Sequence, residues 1–94
     1  MATDPKSILV LARRDHGEAM RVAAGLTIFG HAVQLVFMTE PVAETEANVE
    51  LAELLELSEI TPETTVPEMA DDLTLLDAKS LGAAIAASDR VINL

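Results

Sequence analysis

Half of the six basic residues of this 94-residue chain lie between Leu11 and Arg21, in the stretch "LARRDHGEAMR". Adjacent arginines and the free backbone amides of a helix start are donors that bind small anions in proteins. A histidine beside them could give or take a proton near neutral pH. The stretch is therefore a candidate small-molecule or anion site, with ligand-binding residues Arg13, Arg14, Asp15, His16 and Gly17.

The same stretch also has a structural interpretation, which the sequence favours. Asp15 and Glu18 have the spacing of a capping box, in which each side chain accepts a hydrogen bond from an amide at the helix start. These carboxylates would compete with a bound anion, and the glycine spacing of a dinucleotide-binding loop is missing. In this interpretation the arginines balance the acids, and His16 is a solvated residue of the first helical turn. Both interpretations stay open.

The sequence supports no assignment of a catalytic residue. His16 has no nucleophile paired with it in the sequence. His31 follows Gly30 where a helix gives way to a strand, which predicts a structural role. The chain has no cysteine, so thiolate nucleophiles, disulfides and thiolate metal sites are excluded. These features favour a protein without enzymatic activity.

Three glutamates form the strongest candidate for a metal site. Glu46, Glu50 and Glu53 have i, i+4 and i+7 spacing on one helix face, where a hard cation could bridge them. Calcium and magnesium sites usually add loop oxygens and turn glycines, which this segment lacks. We therefore predict a solvated or partner-facing acidic surface, with no metal and no cofactor.

The net charge of −10 is spread unevenly along the chain. Residues 1–39 carry four basic and three acidic residues, whereas residues 40–94 carry two basic and thirteen acidic residues. Nucleic-acid binding needs a basic face, and the only basic cluster is the short group of Arg13, Arg14 and Arg21. We therefore expect no nucleic-acid partner.

Two apolar segments bear on location. The run Ile8–Ala12 is too short for the core of a signal peptide, which predicts a cytoplasmic protein. The segment Val22–Met38 is almost free of polar residues and sits at the lower length limit of a membrane span. However, Gly30 and His31 resemble a helix stop, and the following "AVQLVFM" favours a strand. No membrane span is expected.

Hydrophobic patterning predicts alternating strands and helices. Continuous apolar runs predict strands covered on both faces, and apolar residues at i, i+3, i+4 and i+7 predict amphipathic helices. In chain order, the predicted elements are the strand "SILVLA", a helix from Asp15 to Gly30, the strand Ala32–Met38, a helix in "ETEANVELAELLELSEI", a weak strand near Thr64–Val66, a helix with the apolar stripe Ala78, Leu81, Gly82, Ile85 and Ala86, and the strand "RVINL". This alternation predicts one α/β domain over residues 1–94, with an open, mainly parallel, flavodoxin-like sheet flanked by helices.

The first predicted helix is apolar over most of its surface. One row of apolar residues can cover the sheet, whereas a second row, Met20, Ala24 and Ile28, needs another cover. In so short a chain we expect that cover to be a partner subunit, with these three residues as the oligomer contact. Gly25 in the middle of the helix would then permit close approach of another backbone.

Two stretches resemble the DsrE/DsrF-like family of small α/β proteins, which includes sulfur-relay subunits. They are "ILVLARRDHGEAMRVAAGLTIFGHAVQLVFMT" and the terminal "AASDRVINL". The resemblance implies a parallel sheet flanked by helices and assembly into homo-oligomers or hetero-oligomers. In active members it also implies a persulfide-carrying cysteine in the loop after the third strand.

That loop corresponds here to residues 64–72, which contain no cysteine. Persulfide transfer needs a thiolate, and the thioether of Met69 cannot replace it. The resemblance therefore implies a non-catalytic, DsrE-like cytoplasmic subunit that acts through oligomeric assembly, as an accessory to intracellular sulfur trafficking. The alternative is a small-molecule or anion-binding domain that uses the loop after the first strand.

Overall fold

A computed structural model describes residues 6–94 of the chain. Strands and helices alternate along most of this length. In chain order they are β1 (Ser7–Ala12), α1 (His16–Ile28), β2 (Ala32–Phe37), α2 (Glu46–Leu57), β3 (Glu63–Thr64), a 3₁₀ turn (Pro67–Met69), β4 (Thr74–Leu75), α3 (Ala78–Ala87) and β5 (Arg90–Asn93).

The strands form one parallel sheet in the order β4-β3-β2-β1-β5. The predicted open parallel sheet flanked by helices is therefore confirmed. β1 lies between β2 and β5, and its residues from Ile8 to Ala12 are all buried. This position explains the continuous apolar run of β1, because a central strand of a parallel sheet is covered on both faces.

Alternate residues of β1 serve the two faces of the sheet. Ile8, Val10 and Ala12 pack with α1 and α2 in the larger core, which also contains Met20 and Leu55. On the opposite face, a smaller core contains Leu9, Leu11 and Val36, against which Leu81 and Ala84 of α3 pack. One face therefore carries two helices, and the other carries one.

Side chains cap the starts of all three α-helices. Asp15, Thr45 and Asp77 accept hydrogen bonds from the amides three residues further on. The cap predicted at Asp15 is confirmed at 3.0 Å from the Glu18 amide nitrogen to Oδ1. The return bond of the capping box is replaced, since the Glu18 carboxylate pairs with Arg21 one turn along the helix.

The expected oligomer row on α1 needs correction. Met20 and Ala24 are 2% and 1% exposed, because α2 packs beside α1 on the same face of the sheet. Only Ile28, at 75% exposed, is open at the surface. Around Gly25 the described part of the chain has no atom within 4 Å of where a Cβ would lie, so close backbone approach within the chain does not explain this glycine.

Two other expectations differ from the structure. The weak strand near Thr64–Val66 is β3, two residues at Glu63–Thr64, and a further strand, β4, has no counterpart in the predicted order. α3 packs through Leu81 and Ala84, while Ile85 of the predicted stripe is 41% exposed. An alanine-rich helix has little contrast between its faces. The face predicted to be buried is therefore rotated from the observed one, which contains Ala84 in place of Ile85. In residues 6–94, no helix is long and apolar enough to cross a membrane.

Candidate functional site

The candidate site is a crevice at the carboxyl ends of β1 and β5. From β1 the chain adds β2, β3 and β4 on one side, and then returns to add β5 on the other. Open parallel sheets bind ligands at such a reversal of strand order, outside the carboxyl ends of the strands. Arg13, Arg14, Asn93 and Leu94 line a cavity of about 400 Å³ at this point.

Backbone hydrogen bonds hold the two sides of the crevice together. The backbone oxygen of Leu94 accepts from the amides of Arg14 and Asp15 at 3.1 and 2.8 Å, and the Leu94 amide donates to the Leu11 carbonyl. The Glu18 amide is taken by the Asp15 carboxylate. Within residues 6–94, the amides of His16 and Gly17 have no acceptor. Neither residue lines the crevice, so these two amides are not donors to a ligand bound there.

Two guanidinium groups supply the charge of the crevice. Arg13 and Arg14 are exposed, and neither forms an ion pair in the part of the chain that the structure describes, where Arg21 and Glu18 make the recorded pair. Guanidinium groups donate in a planar fork that fits carboxylate, phosphate and sulfate oxygens. The crevice therefore has the donors to hold a small anion.

His16 lies outside this crevice. Its side chain is 9% exposed, and Nε2 lies 3.1 Å from the carbonyl oxygen of Met38, which follows β2. Because a carbonyl only accepts, Nε2 carries the proton of this bond. The ring also meets Phe37 edge-on, with centroids 5.6 Å apart. The expectation of a solvated first-turn residue is wrong, because the imidazole joins α1 to β2.

The turn after β2 is strained at Thr39. Thr39 has a φ of 80°, which is uncommon for a β-branched residue, and the Glu40 amide donates to the Met38 carbonyl at 2.9 Å. The same carbonyl accepts from His16. One oxygen thus ties α1, β2 and the following loop together.

The other candidate residues from the sequence, Gly17, His31 and three glutamates of α2, do not form a ligand or metal site among the residues that the structure describes. Gly17 lies beside α2, where an added Cβ would be 3.2 Å from Oδ1 of Asn48. His31 accepts from the Lys6 amide at Nδ1, which joins the start of β2 to the start of β1. Among residues 6–94, no three His, Asp or Glu side chains are grouped so as to hold a metal ion, and this includes Glu46, Glu50 and Glu53.

The structure therefore divides the predicted ligand site. Arg13 and Arg14 line the crevice, whereas His16 and Gly17 turn toward β2 and α2. Asn93 and Leu94 are the lining residues that sequence reasoning missed. Their position follows from the pairing of β5 with β1, which the order of elements along the chain does not reveal.

Compared with protein-family models, with curated proteins and with solved structures, the chain has no match. The resemblance to the DsrE/DsrF-like family accordingly rests on the two quoted stretches alone.

Proposed function

We propose that the chain is a non-catalytic subunit that works by assembling with copies of itself or with related subunits. The observation that carries this proposal is the exposure of α3. Seven of its ten residues are Ala, Leu or Ile, yet none is buried. A helix of this composition normally lies against another protein surface.

The proposed contact is the outer side of α3, formed by Gly82, Ala83, Ile85, Ala86 and Ala87, which we call the α3 surface. All five are exposed. Val91 of β5 lies on the same side of the sheet, since it pairs with Leu9 of the smaller core, and it is 37% exposed. Apolar area therefore continues from α3 onto the edge strand of the sheet.

Charge favours the same surface over α2. Two chains of net charge −10 repel each other, so they associate best where acidic side chains are absent. α3 contains one charged residue, Lys79, whereas α2 contains four glutamates and no basic residue. The α3 surface thus offers apolar contact with less like-charge repulsion than α2 would give.

The cellular role that we propose comes from the family resemblance. A subunit without cysteine cannot carry a persulfide, so it would work beside a cysteine-bearing partner in sulfur trafficking. The cytoplasm is the proposed location, because that trafficking is intracellular. In such a complex this chain supplies structure and the partner supplies the thiolate.

A charged residue placed on the α3 surface tests this proposal. We expect Ala86→Glu to reduce the mass seen by analytical ultracentrifugation to about 10.0 kDa, because a buried carboxylate opposes association. Ala47→Glu places the same change on exposed α2 and should keep the wild-type mass. Equal masses for the two variants would rule out the α3 surface as the contact.

A second candidate function is binding of a small anion, and the crevice with Arg13 and Arg14 favours it. Affinity for sulfate, phosphate or thiosulfate should fall with salt and be lost in the double variant Arg13→Ala, Arg14→Ala. Lys6→Ala with Arg90→Ala makes the same charge change at the amino ends of β1 and β5, away from the crevice, and should retain binding. If titration with these anions gave no saturable chemical-shift changes at residues 13–18, anion binding would be contradicted, and Asp15 would serve only as the helix cap.

A further inference from the structure

A second cavity lies on the α1 and α2 side of the sheet and shares no lining residue with the crevice. Its volume is about 270 Å³, close to the lower end of small-molecule pockets, roughly 300 to 1,000 Å³. Four buried side chains form its floor, namely Met20, Phe37, Leu55 and Ile60. The floor is wholly apolar, so an apolar group placed there would lose contact with water at little polar cost.

The fold accounts for this cavity. Right-handed connections place α1 and α2 on one face of the sheet, and a third helix would be expected there between β3 and β4. That connection contains instead the single 3₁₀ turn Pro67–Met69. The outer flank of α2 is therefore bordered by short loop residues, Pro62, Met69 and Leu73, rather than by a helix. The cavity therefore results from the absence of an α-helix between β3 and β4.

The rim of the cavity is acidic. Glu56 on α2 and Asp72 after the 3₁₀ turn are exposed carboxylates that line it, and no lysine or arginine in residues 6–94 does so. Neither carboxylate forms an ion pair within those residues. Asn48, the third polar residue of the lining, donates from Nδ2 to the Ala43 carbonyl at 2.9 Å, and its Oδ1 lies beside Gly17.

We propose that this cavity binds a small apolar molecule bearing one protonated amine. The apolar body lies on the floor, and the ammonium group stays at the rim with Glu56 and Asp72. An apolar acid of the same shape is disfavoured, because its carboxylate would face two like charges. This site is independent of the α3 surface and of the arginine crevice.

Three probes with the same ring test the proposal on the full chain. They are 2-phenylethylamine, 2-phenylethanol and phenylacetate, observed through the methyl signals of Met20 and Met69. We expect saturable shifts with the amine and roughly threefold to tenfold weaker binding of the alcohol, which lacks the ion pairs. No shift with the amine, or equal binding of all three probes, would overturn the proposal.

Variants separate the charge of the rim from the shape of the cavity. Glu56→Gln with Asp72→Asn should bring the affinity for the amine down to that for the alcohol. Glu50→Gln with Asp71→Asn removes the same charge outside the lining and should keep the preference. A larger residue at the exposed rim position, Ala52→Phe, should block both probes. If the control variant loses the preference equally, general electrostatics and not this rim attracts the amine.

Discussion

At the start of α1, the imidazole of His16 donates to the Met38 carbonyl and meets the Phe37 ring edge-on. The residue type suggests proton transfer, whereas the surroundings are those of a packed core residue. A histidine at a helix start can transfer protons or pack in the core. The sequence does not show which, because the packing partner, Met38, lies 22 residues away along the chain. The arginines differ, since their exposure beside β5 leaves them open to a ligand.

Replacement of His16 tests the structural role. We expect His16→Ala to lower the free energy of unfolding by about 1 to 3 kcal/mol, because one hydrogen bond and one aromatic contact are lost from a buried position. Urea denaturation measures the change. His31→Ala removes an exposed bond and should cost less. An unfolding midpoint unchanged in His16→Ala would contradict the role in joining α1 to β2.

Asp77 offers a pH-dependent test at the start of α3. Hydrogen bonds from the amide and side chain of Ser80 lower the pKa of Asp77 below its ordinary value of 3.8. A carboxyl with a lowered pKa in the folded state stabilises the fold above its ordinary pKa, and this stabilisation is lost as the pH falls through the lowered value.

Asp77→Asn keeps a capping side chain but removes the titration. The stability advantage of the wild type over this variant should therefore shrink as the pH falls below about 4. Chemical denaturation at a series of pH values measures the difference, and the carbon shift of the Asp77 carboxyl gives its pKa directly. Titration of Asp77 at or above its ordinary value would refute the proposed cap interaction.

At the scale of elements, α1 and α2 end in the same way with different residues. In each, a residue with positive φ follows the last turn, and the amides of that residue and of the one after it bond back to carbonyls of that turn. Gly30 has this position after α1, with a φ of 89°, and Glu59 has it after α2, with a φ of 60°. A residue with a Cβ is strained in this conformation, whereas glycine is not.

A pair of substitutions should therefore have opposite effects. Glu59→Gly should raise the free energy of unfolding by about 1 kcal/mol, because it relieves the left-handed conformation of a residue with a Cβ. Gly30→Ala should lower it by about 1 to 2 kcal/mol for the same reason. Thermal unfolding of both variants beside the wild type is the measurement. A shift in the same direction for both would show that the left-handed conformation does not control these helix ends.

The elements that the sequence predicts well are those with enough residues to show a period. "SILVLA" and the helix after it are long, capped and bounded by clear stop residues, and they appear as β1 and α1. β3 and β4 have two residues each, which is too few for any period, so β4 was missed. The sequence predicts two of the residues that line the crevice, Arg13 and Arg14, because they follow β1 directly. The place of Asn93 in the lining depends on the pairing of β5 with β1, which the sequence does not show.

At the scale of the whole molecule, the sheet is covered unequally. The face with α1 and α2 buries Met20 and Ala24 inside the chain, so these two residues are not available to a partner, whereas Ile28 stays exposed. The face with α3 leaves an alanine-rich helix and Val91 exposed. The expectation of a partner subunit thus moves from α1 to α3. The acidic side chains of α2 keep the opposite face solvated.

Salt should strengthen an assembly of this kind. Apolar contact drives the association, and the repulsion between chains of net charge −10 opposes it. Screening by salt weakens that repulsion, so the subunits should dissociate at lower protein concentration when salt is added. An assembly held by ion pairs would respond in the opposite sense.

The most direct test is static light scattering of the wild-type chain across a dilution series, at low and at high salt. An assembly through the α3 surface predicts a mass that is a multiple of 10.0 kDa at tens of micromolar, and that persists to greater dilution at high salt. A mass of 10.0 kDa at tens of micromolar under both conditions would contradict self-assembly.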